Sequence, residues 1–174
     1  PGGKVTVFSG ASPHGQGQKT SFAQIAADGL GIDIEDVEVI HGDTDSVPFG
    51  VGTFGSRGMV VGGTAVAMAR DKVREKMTRF ASMELEADPE DIEFSGGKVY
   101  VASAPERSAS FADIAGMAYS AIKLPPETEP GLEETHFFEP PNFTFPFGAH
   151  VVLAEVDPRT GEVKILRYIA VDDV

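Results

Sequence analysis

The chain has 174 residues, with 27 acidic and 14 basic side chains and a formal net charge of −13. That length holds one domain or a pair with a real core. The charge excludes nucleic acid as a natural partner, because no basic run is present to neutralise phosphates. Cysteine is absent, which excludes disulfides and cysteine metal sites within these residues. No apolar stretch approaches a membrane span, and no signal-peptide pattern is visible.

The first predicted element is a short strand at Lys4-Val-Thr-Val-Phe8, marked by Val5, Val7 and Phe8. A glycine-rich stretch follows, with Gly10, Gly15 and Gly17. Phe22, Ile25, Ala26 and Leu30 then recur at helical spacing up to Gly31, a C-terminal stop. Glycines let such a turn approach a ligand closely. The helix start adds unpaired N–H groups and a partial positive charge that suit a phosphate. Gln16 and Gln18 supply amides that both donate and accept. Taken alone, the stretch reads equally well as an ordinary glycine-rich loop. It also invites comparison with the nucleotide P-loop, since Gly10 to Gly15 has the right gap and Lys19-Thr20 the right ending. The intervening Gln16-Gly17-Gln18 displaces the lysine from the cradle that motif builds.

Asp36-Val-Glu-Val-Ile-His41 alternates charged and apolar residues and predicts a half-buried strand. Residues 42–55 form a long connection carrying Val47, Phe49, Val51 and Phe54, a length more often functional than not. Asp43 and Asp45 within it read as an acidic turn rather than a cation site. Ser56 is a candidate N-cap for a helix through about Glu86, with Val66, Val73, Met77 and Phe80 as its buried stripe. Arg70, Lys72, Arg74, Glu75 and Lys76 fall largely off that stripe, and Gly62-Gly63 near its start predicts close packing. Ile92-Glu-Phe94, Gly96-Gly97 and Lys98-Val-Tyr-Val101 predict a hairpin. Ser110-Phe-Ala-Asp113 reads as a capping-box variant for a helix to about Ala121, with Ile114 and Ala118 inward. Residues 124–146 are rich in Pro, Glu and Phe and predict an irregular, extended excursion. Residues 149–157 and 162–171 flank an Asp-Pro-x-Thr-Gly turn, a strong hairpin signal. The expected class is α+β, an antiparallel or mixed sheet with two main helices packed on one face. The chain lacks an initiator Met and stops just after a strand-like run, so it reads as a piece of a longer polypeptide.

Four ordered segments then belong together. They are Ser12-Pro-His-Gly-Gln-Gly-Gln-Lys-Thr20, Gly52-Thr-Phe-Gly-Ser-Arg-Gly58, Pro141-Asn-Phe-Thr-Phe-Pro-Phe-Gly-Ala-His150, and the run from Asp157-Pro-Arg-Thr-Gly161 to Asp172-Asp173. Their set resembles the molybdopterin-binding large subunit of the xanthine oxidase family, of the aerobic carbon monoxide dehydrogenase type. The resemblance implies that residues 1–174 are a fragment of that subunit's molybdopterin-binding domain. It implies that Gly15, Gln16, Gly17 and Gln18 approach the molybdenum end and the pterin. Gly55, Ser56, Arg57, Gly58 and Met59 would contact the pterin and its phosphate-bearing tail. The implied cofactor is molybdopterin, in the cytosine dinucleotide form, held by the parent enzyme and absent from the fragment alone. The implied activity is a molybdenum-dependent, water-using oxidation of CO or a small organic substrate. The implied partners are the rest of the large subunit, an FAD-binding medium subunit and a [2Fe–2S] small subunit, in the cytoplasm.

The resemblance assigns no catalytic or metal-ligating residue within this chain. The family's glutamate base belongs to a segment after it, and the substrate-side loop to a segment before Pro1. The chain departs from the usual pattern in having Gln18 where His is common, and Gly58-Met59 where Ser-Thr is common. Two other readings stay open. One is a P-loop-like nucleotide-binding enzyme using residues 10–20. The other is a non-catalytic interaction module docking through Phe137, Phe138, Phe143, Phe145 and Phe147. His14 reads as a turn or cofactor-touching residue, His41 and His150 as structural, and His136 as exposed. Asp172-Asp173 reads as a strand end, although the pair could suggest an acid/base dyad.

Overall fold

The computed structural model describes residues 2–47, 49–120, 124 and 128–173. Two compact units emerge, Pro1–Pro140 and Pro141–Val174. The α+β class holds, distributed over three small sheets rather than one.

In the first unit, β1 (Val5–Ser9) pairs in parallel with β2 (Val37–His41), Val5 opposite Val37 and Ser9 opposite His41. Parallel strands need a crossover, and α1 (Gln18–Leu30) supplies it. Gly31 ends α1 in the left-handed conformation at φ 65°, with its N–H on the Ala27 carbonyl. α1 buries Phe22, Ala26 and Leu30 as foreseen, with Ala23 and Ala27 beside them, while Ile25 of the predicted set is half-buried.

A π-helical segment, Gly58–Gly63, runs directly into α2 (Thr64–Glu84). The long predicted helix is therefore real, but its first turn is wider than an α-helix. Gly62 and Gly63 serve close packing there, as expected. A Cβ at Gly62 would lie 2.8 Å from Phe22 Cζ, and one at Gly63 would strike the Met59 sulfur. α2 buries Met77, Phe80 and Ala81, while Val66 and Val73 are half-buried. Arg70 and Arg74 do not lie off the packed face as predicted. Arg70 Nη1 donates to the Ile25 carbonyl at 3.0 Å and Arg74 Nη1 to the Gly29 carbonyl at 2.6 Å, so both lie against α1. Arginine does this because its stem packs as apolar surface while the fork reaches carbonyls near a helix C-terminus.

The predicted hairpin is β3 (Ile92–Ser95) with β4 (Lys98–Val101), turning at Gly96 (φ 56°) and Gly97 (φ 72°). β5 (Ala104–Ser110) adds a third antiparallel strand, with a bulge near Tyr100/Val101. α3 (Phe111–Ser120) starts at the predicted box, where Ser110 Oγ accepts the Asp113 N–H at 3.0 Å and donates to its carboxylate at 2.6 Å. Met77, Phe80, Val99, Ile114 and Ala118 form the centre of the core with no solvent exposure. Burying each larger member contributes about 1.5–3 kcal/mol.

The second unit is a two-stranded ribbon, β6 (Phe147–Val156) against β7 (Val163–Asp173). Its turn follows the Asp-Pro-x-Thr-Gly prediction. Gly161 (φ 74°) donates to the Asp157 carbonyl at 2.8 Å, and Asp157 Oδ1 accepts the Arg159 N–H at 2.8 Å. His150 stands between Tyr168 and Asp172, with its Nδ1 2.8 Å from the phenol oxygen and its Nε2 2.9 Å from the carboxylate. Asp172 and Asp173 are consecutive in β7 and point to opposite faces, which rules out a shared-proton dyad.

Candidate functional site

The site grows from two loops of the first unit, residues 10–17 and 49–57. They meet backbone to backbone at Gly10 and Gly50. A Cβ on Gly10 would lie 2.6 Å from Gly50 Cα, and one on Gly50 would lie 2.5 Å from Gly10 Cα. The Gly52 N–H donates to the Gly10 carbonyl at 3.3 Å. Only glycine at both positions allows that approach.

A side-chain link ties the same loops together. Gln18, the first residue of α1, is 5 % exposed. Its Oε1 accepts the Thr53 hydroxyl at 3.2 Å and the Gln16 Nε2 at 3.3 Å. Gln16 Oε1 in turn accepts the His14 backbone N–H, so His14 lies in an exposed turn stabilised by Gln16. On the other side, a Cβ at buried Gly58 would overlap the Gln18 amide nitrogen and lie 2.8 Å from its Cδ. The structure thus brings Gln16, Gln18 and Gly58 together through Thr53, which sequence reasoning did not single out.

The outer surface of the loops is open backbone. Gly15 (φ 106°), Gly17 (φ 82°), Gly52 (φ 77°) and Gly55 (φ 59°) take left-handed conformations, with nothing within 4 Å of a Cβ position. Gly17 begins α1 without a side-chain cap, and the first turn of α1 carries no acidic residue. Its leading N–H groups therefore remain available to an anion. Ser56 is not the extended N-cap foreseen. It is itself left-handed at φ 56°, and Arg57 leads into the π-helical turn without a capping bond. A serine held there costs about 1–3 kcal/mol, and such strain concentrates at ligand-binding loops. π-helical turns have the same bias toward functional positions.

Arg57 is half-buried, with its guanidinium 5.2 Å from the Phe54 ring centre. Among the described residues it makes no ion pair, although carboxylates outnumber cations in the chain. Met59, two residues on, is 42 % exposed. An open glycine backbone, an uncapped helix start and an unpaired guanidinium are a donor set suited to an anionic, heterocycle-bearing group.

Other predicted residues fall outside this arrangement. Asp43 accepts the Asp45 N–H at 2.9 Å and the Ser46 hydroxyl at 2.8 Å, which makes it the acidic turn expected. Those hydrogen bonds, the Ser46 hydroxyl first, hold its carboxyl below the usual range. No group of three metal-ligating side chains occurs among the described residues. His136 is half-buried rather than exposed. In the phenylalanine strip, Phe137, Phe143, Phe145 and Phe147 are exposed, whereas Phe138 is half-buried. Phe137 meets Phe49 edge-on at 6.0 Å. Among the described residues, no helix is long and apolar enough to cross a membrane.

Comparison with known proteins identifies the family. The molybdopterin cofactor-binding domain family model matches residues 1–174. The chain is 39 % identical over 173 residues to the carbon monoxide dehydrogenase large chain of Hydrogenophaga pseudoflava, covering 99 % of this chain and 21 % of that one. It is 39 % identical over 172 residues to the nicotine 6-hydroxylase large subunit of Paenarthrobacter nicotinovorans, covering 98 % and 21 %. Among solved structures, quinoline 2-oxidoreductase from Pseudomonas putida 86 matches with TM-score 0.83 at 36 % identity, over 99 % of this chain and 22 % of that one. Reconstituted CO dehydrogenase from Oligotropha carboxidovorans matches with TM-score 0.79 at 37 % identity, over 95 % and 20 %. The chain thus spans about a fifth of the length of these relatives. With a model matched from end to end and the same fold in proteins over a third identical, the chain belongs to the molybdopterin cofactor-binding domain family.

Proposed function

We propose that this chain is part of the cofactor-binding domain of a larger molybdenum-dependent oxidoreductase subunit, and that its two joined loops hold the cofactor. The observation that carries the proposal is the coincidence, on one pair of loops, of open left-handed glycines, an uncapped helix start and an unpaired arginine. In this reading the backbone at Gly15, Gln16, Gly17 and Gln18 and the Gln16 amide face the molybdenum end and the pterin. Gly55, Ser56, Arg57, Gly58 and Met59 form the side toward the phosphate-bearing tail. Arg57 suits that tail because its planar fork matches phosphate oxygens, and because no carboxylate among the described residues competes for it.

When bound, the cofactor supplies the two-electron oxidation, while the protein binds, orients and excludes water. Gln16 Nε2 spends one N–H on Gln18 and would offer its second to the cofactor, while the glycines would let the backbone close on the ring system. We further propose the cytosine dinucleotide form of molybdopterin, partner subunits carrying FAD and a [2Fe–2S] cluster, and a cytoplasmic location. The substrate is CO or a small organic molecule, in keeping with the names of the relatives. Two loops alone cannot enclose a cofactor that such pockets bury almost completely. The isolated 174 residues should therefore purify without molybdenum, and near-stoichiometric metal would contradict that.

The test is molybdenum and pterin content in the complete enzyme carrying Gln16→Ala or Arg57→Ala. The expected result is reduced cofactor content for Arg57→Ala, and reduced turnover per molybdenum or reduced content for Gln16→Ala. Wild-type content and turnover in both variants would remove the loops from the site.

A further inference from the structure

We infer that Gln18, Thr53 and Gly58 form a latch that sets the spacing of the two loops, the Gln18 and Thr53 side chains acting as positioning groups for the cofactor-facing backbone. The inference rests on the proposed function for its consequence, but the latch is argued from this chain alone. Gln18, at the start of α1, is 5 % exposed, whereas Gln16 in the loop before it is exposed. Its carbonyl oxygen is occupied twice, by the Thr53 hydroxyl from the second loop and by the Gln16 amide from the first. Its nitrogen lies where a Cβ of residue 58 would be. The same amide is therefore clasped by a hydroxyl on one side and by a missing side chain on the other. Thr53 Cγ2 would also lie 3.3 Å from that Cβ, so the three residues share one packed volume.

Backbone need does not explain Gly58. It is absent from the positive-φ residues and lies in a helical turn, where alanine fits the backbone. Its Cβ position is taken by the end of the Gln18 side chain, so an alanine there fits only if Gln18 gives up its bonds to Thr53 and Gln16. That makes the two positions interdependent, although they are forty residues apart in sequence. It also carries the register of the first loop to the second. Gln16 binds Gln18, Gln18 binds Thr53, and Thr53 leads within a few residues to Ser56 and Arg57. Residues that orient ligand-bearing side chains typically matter by about 10–100-fold when removed.

The experiment is a double-mutant cycle in the complete enzyme with two readouts. One is molybdenum and pterin content. The other is proteolytic cutting of residues 49–58 in the cofactor-free enzyme, which does not depend on loading. Gly58→Ala should lower cofactor content about tenfold or more and speed cutting of the loop. Gln18→Ala should also weaken both. Adding Gly58→Ala to Gln18→Ala should cause no further loss, because the amide it would strike is gone. Thr53→Ser should restore the content that Thr53→Val loses. Additive losses from Gly58→Ala and Gln18→Ala in both readouts, or equal effects of Thr53→Ser and Thr53→Val, would overturn the latch. If the cycle couples in the cutting assay while Gln16→Ala and Arg57→Ala leave both cofactor content and turnover untouched, the latch stands and the cofactor reading fails.

Discussion

The helix–sheet core and the two joined loops of the first unit are made by opposite means. The core excludes water with side chains: Met77, Phe80, Val99 and Ile114 have no exposure, and they come from α2, β4 and α3. The loops approach one another by removing side chains, at Gly10, Gly50 and Gly58, and the side chains that link them, Gln16, Gln18 and Thr53, are polar. Close packing of apolar groups gives stability, whereas bare backbone and unpaired donors leave a surface with unsatisfied hydrogen-bonding capacity. Proteins retain the second kind of surface where a ligand completes it. The contrast therefore separates residues that hold the fold from the residues proposed to hold the cofactor.

The largest expected effect lies in the core. Phe80→Ala should destabilise the fold by about 3–5 kcal/mol in denaturant unfolding, through lost burial plus a cavity. A change under about 1 kcal/mol would mean the site collapses freely and the core is less well packed than described. In the loops the expectation reverses, with function lost and the fold intact. Gln16→Ala should lower turnover per bound molybdenum by on the order of 10²–10³ if its donor strengthens in the transition state. Gln16→Glu should be worse, since an anion would face electron-rich ligands. Unchanged unfolding midpoints for both variants would sharpen the contrast, and a shift as large as that of Phe80→Ala would break it.

Arg57→Ala should act on cofactor content rather than on turnover per molybdenum, by about tenfold, because a phosphate contact positions without joining the chemistry. A normal content with slow turnover would reverse the assigned role. The smallest effect belongs to Asp43, an exposed turn carboxylate whose folded-state pKa is lowered by the Ser46 hydroxyl and neighbouring N–H groups. A lowered value means its contribution is present above the unfolded pKa and is lost as pH falls through the folded one. Asp43→Asn should thus lower the melting temperature slightly at neutral pH, with the difference vanishing in acid. A difference that grows in acid would show the sign to be wrong.

Much of the fold was legible because it rests on local chemistry. Phe22, Ile25, Ala26 and Leu30 with Gly31 defined α1, Ser110 and Asp113 opened α3, and Asp157 to Gly161 closed the β6–β7 ribbon. β5 was not legible, since Ala104–Ser110 carries almost no apolar residue and is recruited by pairing with β4. The α1-facing placement of Arg70 and Arg74 was hidden for a related reason. Their charge argues for solvent, and only the α1 carbonyls explain the alternative. In the site, the two loops were legible from glycine spacing and resemblance, but their mutual contact was not. Gln18 and Gly58, two of the positions that depart from the resembled pattern, touch one another across a sequence gap that no local rule spans. Ser56 was misread because a serine before a helix argues for a cap, while the glycine turn at Gly55 carries it into the left-handed region.

The most direct test of the account is a crystal structure of the complete, molybdenum-loaded enzyme. The account predicts the pterin and its phosphates within hydrogen-bond reach of the backbone at residues 15–18 and of the Arg57 guanidinium, with the Gln18–Thr53 bond retained. A cofactor held by other segments, with these loops facing solvent or a neighbouring domain, would contradict it.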